Sequence, residues 1–94
     1  MVSRAYRTCL ELIEKMVKHG YIHQISRGDV AKIISRYVGA DERTIEKYVR
    51  VCVQWELLTP HPQNKNVYYI SLLKADRQMK EVFGRPMKQI TLES

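Results

Sequence analysis

Three residues, Val38-Gly39-Ala40, separate two stretches of helical periodicity, and this short junction constrains the fold most strongly. The apolar residues of the first stretch are Val30, Ile33, Ile34 and Tyr37. Those of the second stretch are Ile45, Tyr48, Val49, Cys52 and Val53. Because apolar side chains at steps of three and four share one face of a helix, we expect two amphipathic helices joined by a tight, glycine-containing turn.

Capping signals begin both helices. Ser26, with Asp29 three residues later, resembles a capping box in which Asp replaces the usual Glu. Asp41 is placed to cap the helix that follows the turn, which is the third helix of the chain, and Glu42 favours the positive end of its dipole. This third helix is predicted to end near Trp55-Glu56-Leu57.

An N-terminal helix is predicted over residues 3–19, where apolar residues again recur at steps of three and four. Ser3 caps its start, and Gly20 follows its end, where a left-handed residue is usual. Residues 21–25 are either a brief strand or an extended connector, because β-branched and aromatic side chains favour extension.

A β-hairpin and a last helix follow the central pair. Residues 58–61 are extended by composition, residues 62–66 carry turn chemistry, and residues 67–71 form a strand, which gives a hairpin with a polar, basic tip. The last helix spans residues 72–83 and is ended by Gly84. The sequence therefore predicts a mainly α chain with a small β-hairpin, an α+β fold.

The order of these elements resembles the winged helix-turn-helix family of DNA-binding regulators. The residues that carry the resemblance are Ile25-Ser26, Val30-Ala31, Gly39, Arg43-Thr44-Ile45, Leu57-Leu58 and Val67-Tyr68-Tyr69-Ile70. They cover about half the chain, which is similar to MarR-type and PadR-type regulators and to small winged-helix proteins of archaeal plasmids and viruses. One departure is the exit of the third helix, where Trp55-Glu56 stand in place of the usual Gly.

The resemblance implies one winged-helix domain over residues 1–94. Its parts are an N-terminal helix (1–20), a helix-turn-helix with its wing (25–71), a C-terminal dimerisation helix (72–84) and a loose basic tail (85–94).

The third helix carries the predicted contacts to double-stranded DNA. Arg43, Lys47, Arg50 and Gln54 are spaced by four, three and four residues, so they line one side of the helix opposite its apolar stripe. Arg pairs bidentately with guanine and Gln with adenine in the major groove. The Thr44 hydroxyl either bonds a phosphate or completes the Asp41 cap. The acidic residues on the same side, Glu42 and Glu46, argue against phosphate contact.

Two further regions are expected to touch the DNA backbone. Ser26 and Arg27 begin the second helix, whose free N–H groups attract a phosphate. The wing tip, at Gln63, Asn64, Lys65 and Asn66, is expected on the flanking backbone or minor groove. Lys65 is its main candidate for a phosphate contact.

Charge supports a nucleic-acid partner, whereas no pattern supports an enzyme. The chain has 16 Lys and Arg against 10 Asp and Glu, a net charge of +6. The three His residues are scattered, and no catalytic set, metal site, cofactor site or phosphate loop is recognisable. Without a signal peptide or apolar span, we expect a cytoplasmic protein with no membrane partner. Cys9 and Cys52 are interpreted as buried thiols, with a disulfide as the alternative.

A two-fold homodimer is expected, because the terminal helices carry more apolar surface than a small core needs. The predicted interface residues are Leu12, Met16, Leu72, Leu73, Met79, Val82 and Phe83. Two third helices would then meet successive major grooves, about 34 Å apart, on a palindromic site. The expected function is a sequence-specific transcriptional regulator. The alternatives are a plasmid-partition or architectural DNA-binding protein, and a winged-helix module for protein interaction.

Overall fold

Four helices and a three-stranded antiparallel sheet form over residues 3–87, the residues that the computed structural model describes. Their order is α1 (Arg4–Lys18), β1 (Gln24–Ser26), α2 (Arg27–Tyr37), α3 (Glu42–Gln54), β2 (Leu58–His61), β3 (Asn64–Ile70) and α4 (Leu72–Phe83). The predicted α+β class is confirmed. Residues 24–26 form a strand, which settles the ambiguous stretch after α1.

The sheet has the strand order β1-β3-β2, so β3 pairs on both sides. Ile25 lies opposite Tyr68 on one side, and Pro60 lies opposite the same Tyr68 on the other. Since successive side chains of a strand point to opposite faces, Tyr68 faces inward and Tyr69 outward. Tyr69 is exposed, and its ring centroid lies 5.0 Å from that of His61.

The hairpin turn is shorter than the sequence predicts. His61 pairs with Asn64, so only Pro62 and Gln63 form the turn. Residues 64–66, predicted in the tip, begin β3 instead. The Gln63 N–H donates to His61 Nδ1 at 3.0 Å, and the Asn66 N–H donates to Asn64 Oδ1 at 2.9 Å. Asn is depleted in strands, and two of the three residues 64–66 are Asn, so the composition of this segment indicated a loop.

The core is built around α1, which packs against α2, α3 and α4. Cys9, Leu10, Ile13 and Met16 have no exposed surface. Both cysteines are free, buried thiols, in agreement with the first interpretation of the sequence. The Cys9 thiol donates to the Tyr48 carbonyl at 3.7 Å, and a hydrogen bond with Cys9 together with burial raises the pKa of Cys52 well above its usual value.

Much of the predicted dimer interface lies inside a single chain. Leu12, Met16 and Met79 are at most 1 % exposed, because α1 and α4 pack against each other. These three residues are therefore not available to a partner, which corrects the interface prediction. Leu72, Val82 and Phe83 are half-buried against the same core, whereas Leu73 is 76 % exposed.

The segment after α4 is packed over the part described, contrary to the loose tail predicted from residue 85. Arg85 donates to both carboxylate oxygens of the buried Glu14, at 2.8 and 3.2 Å, and this pairing raises the Arg85 pKa. The Met87 N–H donates to Asp76 Oδ1 at 3.0 Å, and the Met87 side chain is buried. The rest of the predicted tail, residues 88–94, lies outside the described residues.

The spacing of Tyr37 predicted a place on the inner face of α2, but Tyr37 lies on the surface. It ends the helix, where the chain turns away from the core. Its hydroxyl is 3.4 Å from His19 Nε2, and the Lys15 ammonium is 5.0 Å from its ring centroid. The aromatic ring therefore covers the end of α1.

The exit of α3 shows how the chain manages without the expected glycine. Glu56 adopts a left-handed conformation with φ of 63°. This geometry lets the Leu57 N–H donate to the Cys52 carbonyl at 2.9 Å, which closes the helix end. Trp55 stacks on Tyr6 with ring centroids 4.1 Å apart, and Glu56 forms an ion pair with Lys74.

We predict that Glu56→Gly is more stable than Glu56→Ala by about 1 kcal/mol, because a left-handed backbone strains any residue with a Cβ. Both variants lose the ion pair with Lys74, so their difference isolates the backbone. Urea unfolding of the two variants measures it. Equal midpoints would show that the left-handed Glu56 carries no conformational cost.

Candidate nucleic-acid interface

Helix α3 turns the predicted contact residues to the surface. Val49 and Cys52 are buried, and Ile45, Tyr48, Val51 and Val53 pack partly against the core. The side chains on the opposite side are exposed: Glu42, Arg43, Glu46, Lys47, Arg50 and Gln54. Burial of the apolar stripe therefore fixes which side of α3 is presented to a ligand.

A groove of about 790 Å³ runs between α3 and the β2–β3 hairpin. Its lining residues are Arg27, Glu46, Val49, Arg50, Val53, Gln54, Pro60 and Tyr68. We call this surface the α3–hairpin groove. It brings together three of the predicted contact residues, Arg27, Arg50 and Gln54, which come from two different helices.

Arg43 and Lys47 lie outside this groove, on the adjoining exposed side of α3. The Lys47 ammonium is 5.4 Å from the centroid of the Tyr48 ring, the next residue along the helix. Over residues 3–87, no ion pair neutralises Arg27, Arg43, Lys47 or Arg50. Four unpaired cations therefore border one edge of the molecule, which favours an anionic partner.

The start of α2 is held by a cap. Ser26 Oγ accepts from the Asp29 N–H at 3.1 Å, as the capping prediction requires. The Asp29 carboxylate accepts from the Tyr21 hydroxyl at 2.7 Å, which raises the pKa of Tyr21. Arg27, the first residue of the helix, is half-buried where it lines the α3–hairpin groove.

The start of α3 is also fixed by its cap. The Thr44 N–H and hydroxyl both donate to Asp41 Oδ2, at 3.0 and 2.7 Å. These hydrogen bonds lower the pKa of Asp41. The Thr44 hydroxyl proton is therefore engaged in the cap, which favours the capping alternative for this residue over a phosphate contact.

The four predicted wing residues do not share one position. Gln63 lies in the turn, and Asn64, Lys65 and Asn66 lie on the first part of β3, all of them exposed. They are separate from the lining of the α3–hairpin groove.

Sequence reasoning missed Pro60 and Tyr68 as lining residues of the α3–hairpin groove. Strand alternation showed that Tyr68 and Tyr69 face opposite ways. The pairing of Tyr68 with the buried Ile25, and its packing against the core, show that Tyr68 is the one that faces inward.

The described residues offer no metal-binding cluster and no membrane-spanning helix. No group of three or more His, Cys, Asp or Glu side chains there is arranged to hold a metal ion. None of the helices described is long and apolar enough to cross a lipid bilayer.

We predict that Asp41→Ala lowers the melting temperature at neutral pH, because it removes the acceptor of two hydrogen bonds, and that Asp41→Asn lowers it less. The lowered pKa of Asp41 means that the ionised carboxylate stabilises the fold above its ordinary pKa of 3.8. This contribution is lost as the pH falls through the lower, folded-state pKa. Circular-dichroism melts from about pH 7 to pH 3 should show the gap between wild type and Asp41→Ala narrowing. A gap that stays constant with pH would contradict this role.

Comparisons with models of protein families, with curated proteins and with solved structures find no match to this chain. The resemblance to winged helix-turn-helix regulators therefore stays a prediction. What the geometry itself contributes is an exposed side of α3 that carries three basic residues, Arg43, Lys47 and Arg50, and two acidic ones, Glu42 and Glu46. It is bordered by the α3–hairpin groove and by the start of α2.

Proposed function

We propose that this chain is a sequence-specific, double-stranded DNA-binding protein of the winged helix-turn-helix type that regulates transcription. The observation that carries the proposal is the exposed side of α3, on which Arg43, Lys47 and Arg50 form no ion pair with other described residues and Gln54 is exposed beside them. In this proposal α3 enters the major groove, and the β2–β3 hairpin is the wing.

The architecture supports this docking. Helices α2 and α3 are joined by a turn of four residues, 38–41, and pack against each other. Helix α3 has 13 residues, which gives a length of about 20 Å. A major groove about 12 Å wide admits a single α-helix of this kind.

The charged residues divide between two roles in the proposal. Arg43 and Lys47 lie in the N-terminal half of α3, where recognition helices concentrate their base contacts. Arg27 begins α2, so it is placed to bind a phosphate at the edge of the DNA major groove. Lys65, exposed on β3 near the turn, is placed to bind the flanking backbone.

Binding DNA through one α3 helix offers few base pairs to read, so we also propose a homodimer. Leu73 is the most exposed of the large hydrophobic residues among residues 3–87, and it lies in the first turn of α4 beside a cavity lined by Ile22 and Leu72. Burying an exposed leucine contributes about 1.5–3 kcal/mol. The proposed contact therefore centres on the start of α4, and not on the residues of the terminal helices that the core already covers.

We predict that Arg43→Ala and Lys47→Ala each weaken binding to the preferred sequence by about 1–3 kcal/mol. Lys65→Ala should weaken binding to all duplexes alike and flatten the salt dependence, because a phosphate contact carries no sequence information. Fluorescence anisotropy with a duplex selected from a random pool, and with a scrambled duplex, measures both effects.

Arg77→Ala, which removes an exposed charge of α4, is the matched control and should change the affinity least. If the double variant of Arg43 and Lys47 binds the selected duplex as tightly as wild type, α3 is not the recognition helix. Absence of any salt-dependent binding by wild type would favour a protein-interaction module.

We predict that wild type sediments at twice the chain mass and that Leu73→Glu sediments as a monomer, because a charge cannot be buried unpaired in the contact. Leu73 has little contact with its own chain, so the variant should keep the wild-type melting profile of a folded protomer. Sedimentation equilibrium distinguishes the two states. A Leu73→Glu variant that stays dimeric would place the interface elsewhere.

A further inference from the structure

Glu46 is the acidic residue in the lining of the α3–hairpin groove, where it lies among basic neighbours. Arg50 follows it by one helical turn, and Arg27 contributes to the same lining from α2. A carboxylate at this place repels phosphate, and it therefore opposes the affinity that the surrounding cations provide.

No structural task accounts for the Glu46 carboxylate. Glu placed four residues before Arg is the favourable order for an ion pair on a helix, yet Glu46 and Arg50 form none. No hydrogen bond of its side chain is found to any other residue in the 3–87 range. The cap of α3 is supplied by Asp41, and Glu42 already lies in its first turn. The Glu46 oxygens are therefore free to accept hydrogen bonds from a ligand.

The chemistry of base edges limits what such a carboxylate can accept. An ionised carboxylate has acceptors and no donor. In the major groove, guanine presents two acceptors, thymine an acceptor and a methyl group, and adenine an acceptor beside its amino group. Cytosine presents the N4 amino donor and has no major-groove acceptor of its own. A carboxylate that reaches base edges therefore favours cytosine and disfavours the other three bases.

We propose that Glu46 is a specificity-determining residue that selects cytosine at one position of the DNA site by accepting a hydrogen bond from its N4 amino group. The inference rests on the proposed function, since it requires α3 in the major groove. It also explains the acidic residue among cations: the carboxylate lowers affinity for every duplex and lowers it least for the right one, so overall affinity is exchanged for discrimination.

Selection of bound sequences from a random duplex pool tests the proposal with wild type, Glu46→Gln and Glu46→Ala. Wild type should enrich cytosine at one position, with a preference on the order of tenfold over the other bases. Glu46→Gln should change the preference there to adenine, which pairs bidentately with Gln. Glu46→Ala should lose the preference at that position and keep it at the others.

Glu42→Gln is the matched control, because it removes the same charge from α3 at an exposed residue outside the groove lining. It should leave the enriched sequence unchanged. Glu46 is exposed, so both Glu46 variants should melt like wild type, which a thermal scan checks.

Two other results overturn the proposal in different ways. If wild type and both Glu46 variants enrich the same sequence, and the variants only bind all duplexes more tightly, Glu46 merely repels phosphate. The proposed DNA-binding function then stands, but Glu46 does not select cytosine. If wild type enriches no sequence, sequence-specific DNA binding itself fails, and the role of Glu46 fails with it.

Discussion

Burial of one whole side of α1 is the interaction on which the other helices depend. Leu10, Ile13 and Met16 are fully enclosed, and α2, α3 and α4 all pack against this helix. A chain of 94 residues has room for little more than one such core. Helix α1 contributes no residue to the proposed DNA interface. It still determines the shape of that interface, because its packing fixes the angle at which α3 is presented.

Helix α3 is constrained at each end and along its inner side. Asp41 holds its start through two hydrogen bonds, and the left-handed Glu56 closes its end. Between them, Val49 and Cys52 anchor it to the core. The outer side is thereby placed without any contact of its own, so the residues proposed to meet DNA are free to vary without loss of the fold. Pre-organisation of this kind reduces the entropy that binding must overcome.

The helices could be predicted from the sequence because periodicity and capping residues are local signals. Ser3, Ser26 and Asp41 cap α1, α2 and α3 as their residue types indicate. The exposed side of α3 followed from the same periodicity.

The errors arose where distant residues decide the outcome. Arg85 was assigned to a loose tail, because nothing nearby in the sequence shows that Glu14 pairs with it. Met79 appeared to be surplus apolar surface until α4 was seen to pack on α1. The α3–hairpin groove depends on strand register, which single-sequence patterns do not specify.

Pro60 has a consequence for how copies of this chain meet. Strand β2 is one edge of the sheet, and a proline there removes an N–H from the edge, where an incoming strand would need a donor. The opposite edge, β1, has three residues and runs directly into α2. Short and proline-containing edges resist the addition of foreign strands. Both edges of the sheet thus resist growth, and contact between copies of this chain is left to side chains rather than to backbone pairing.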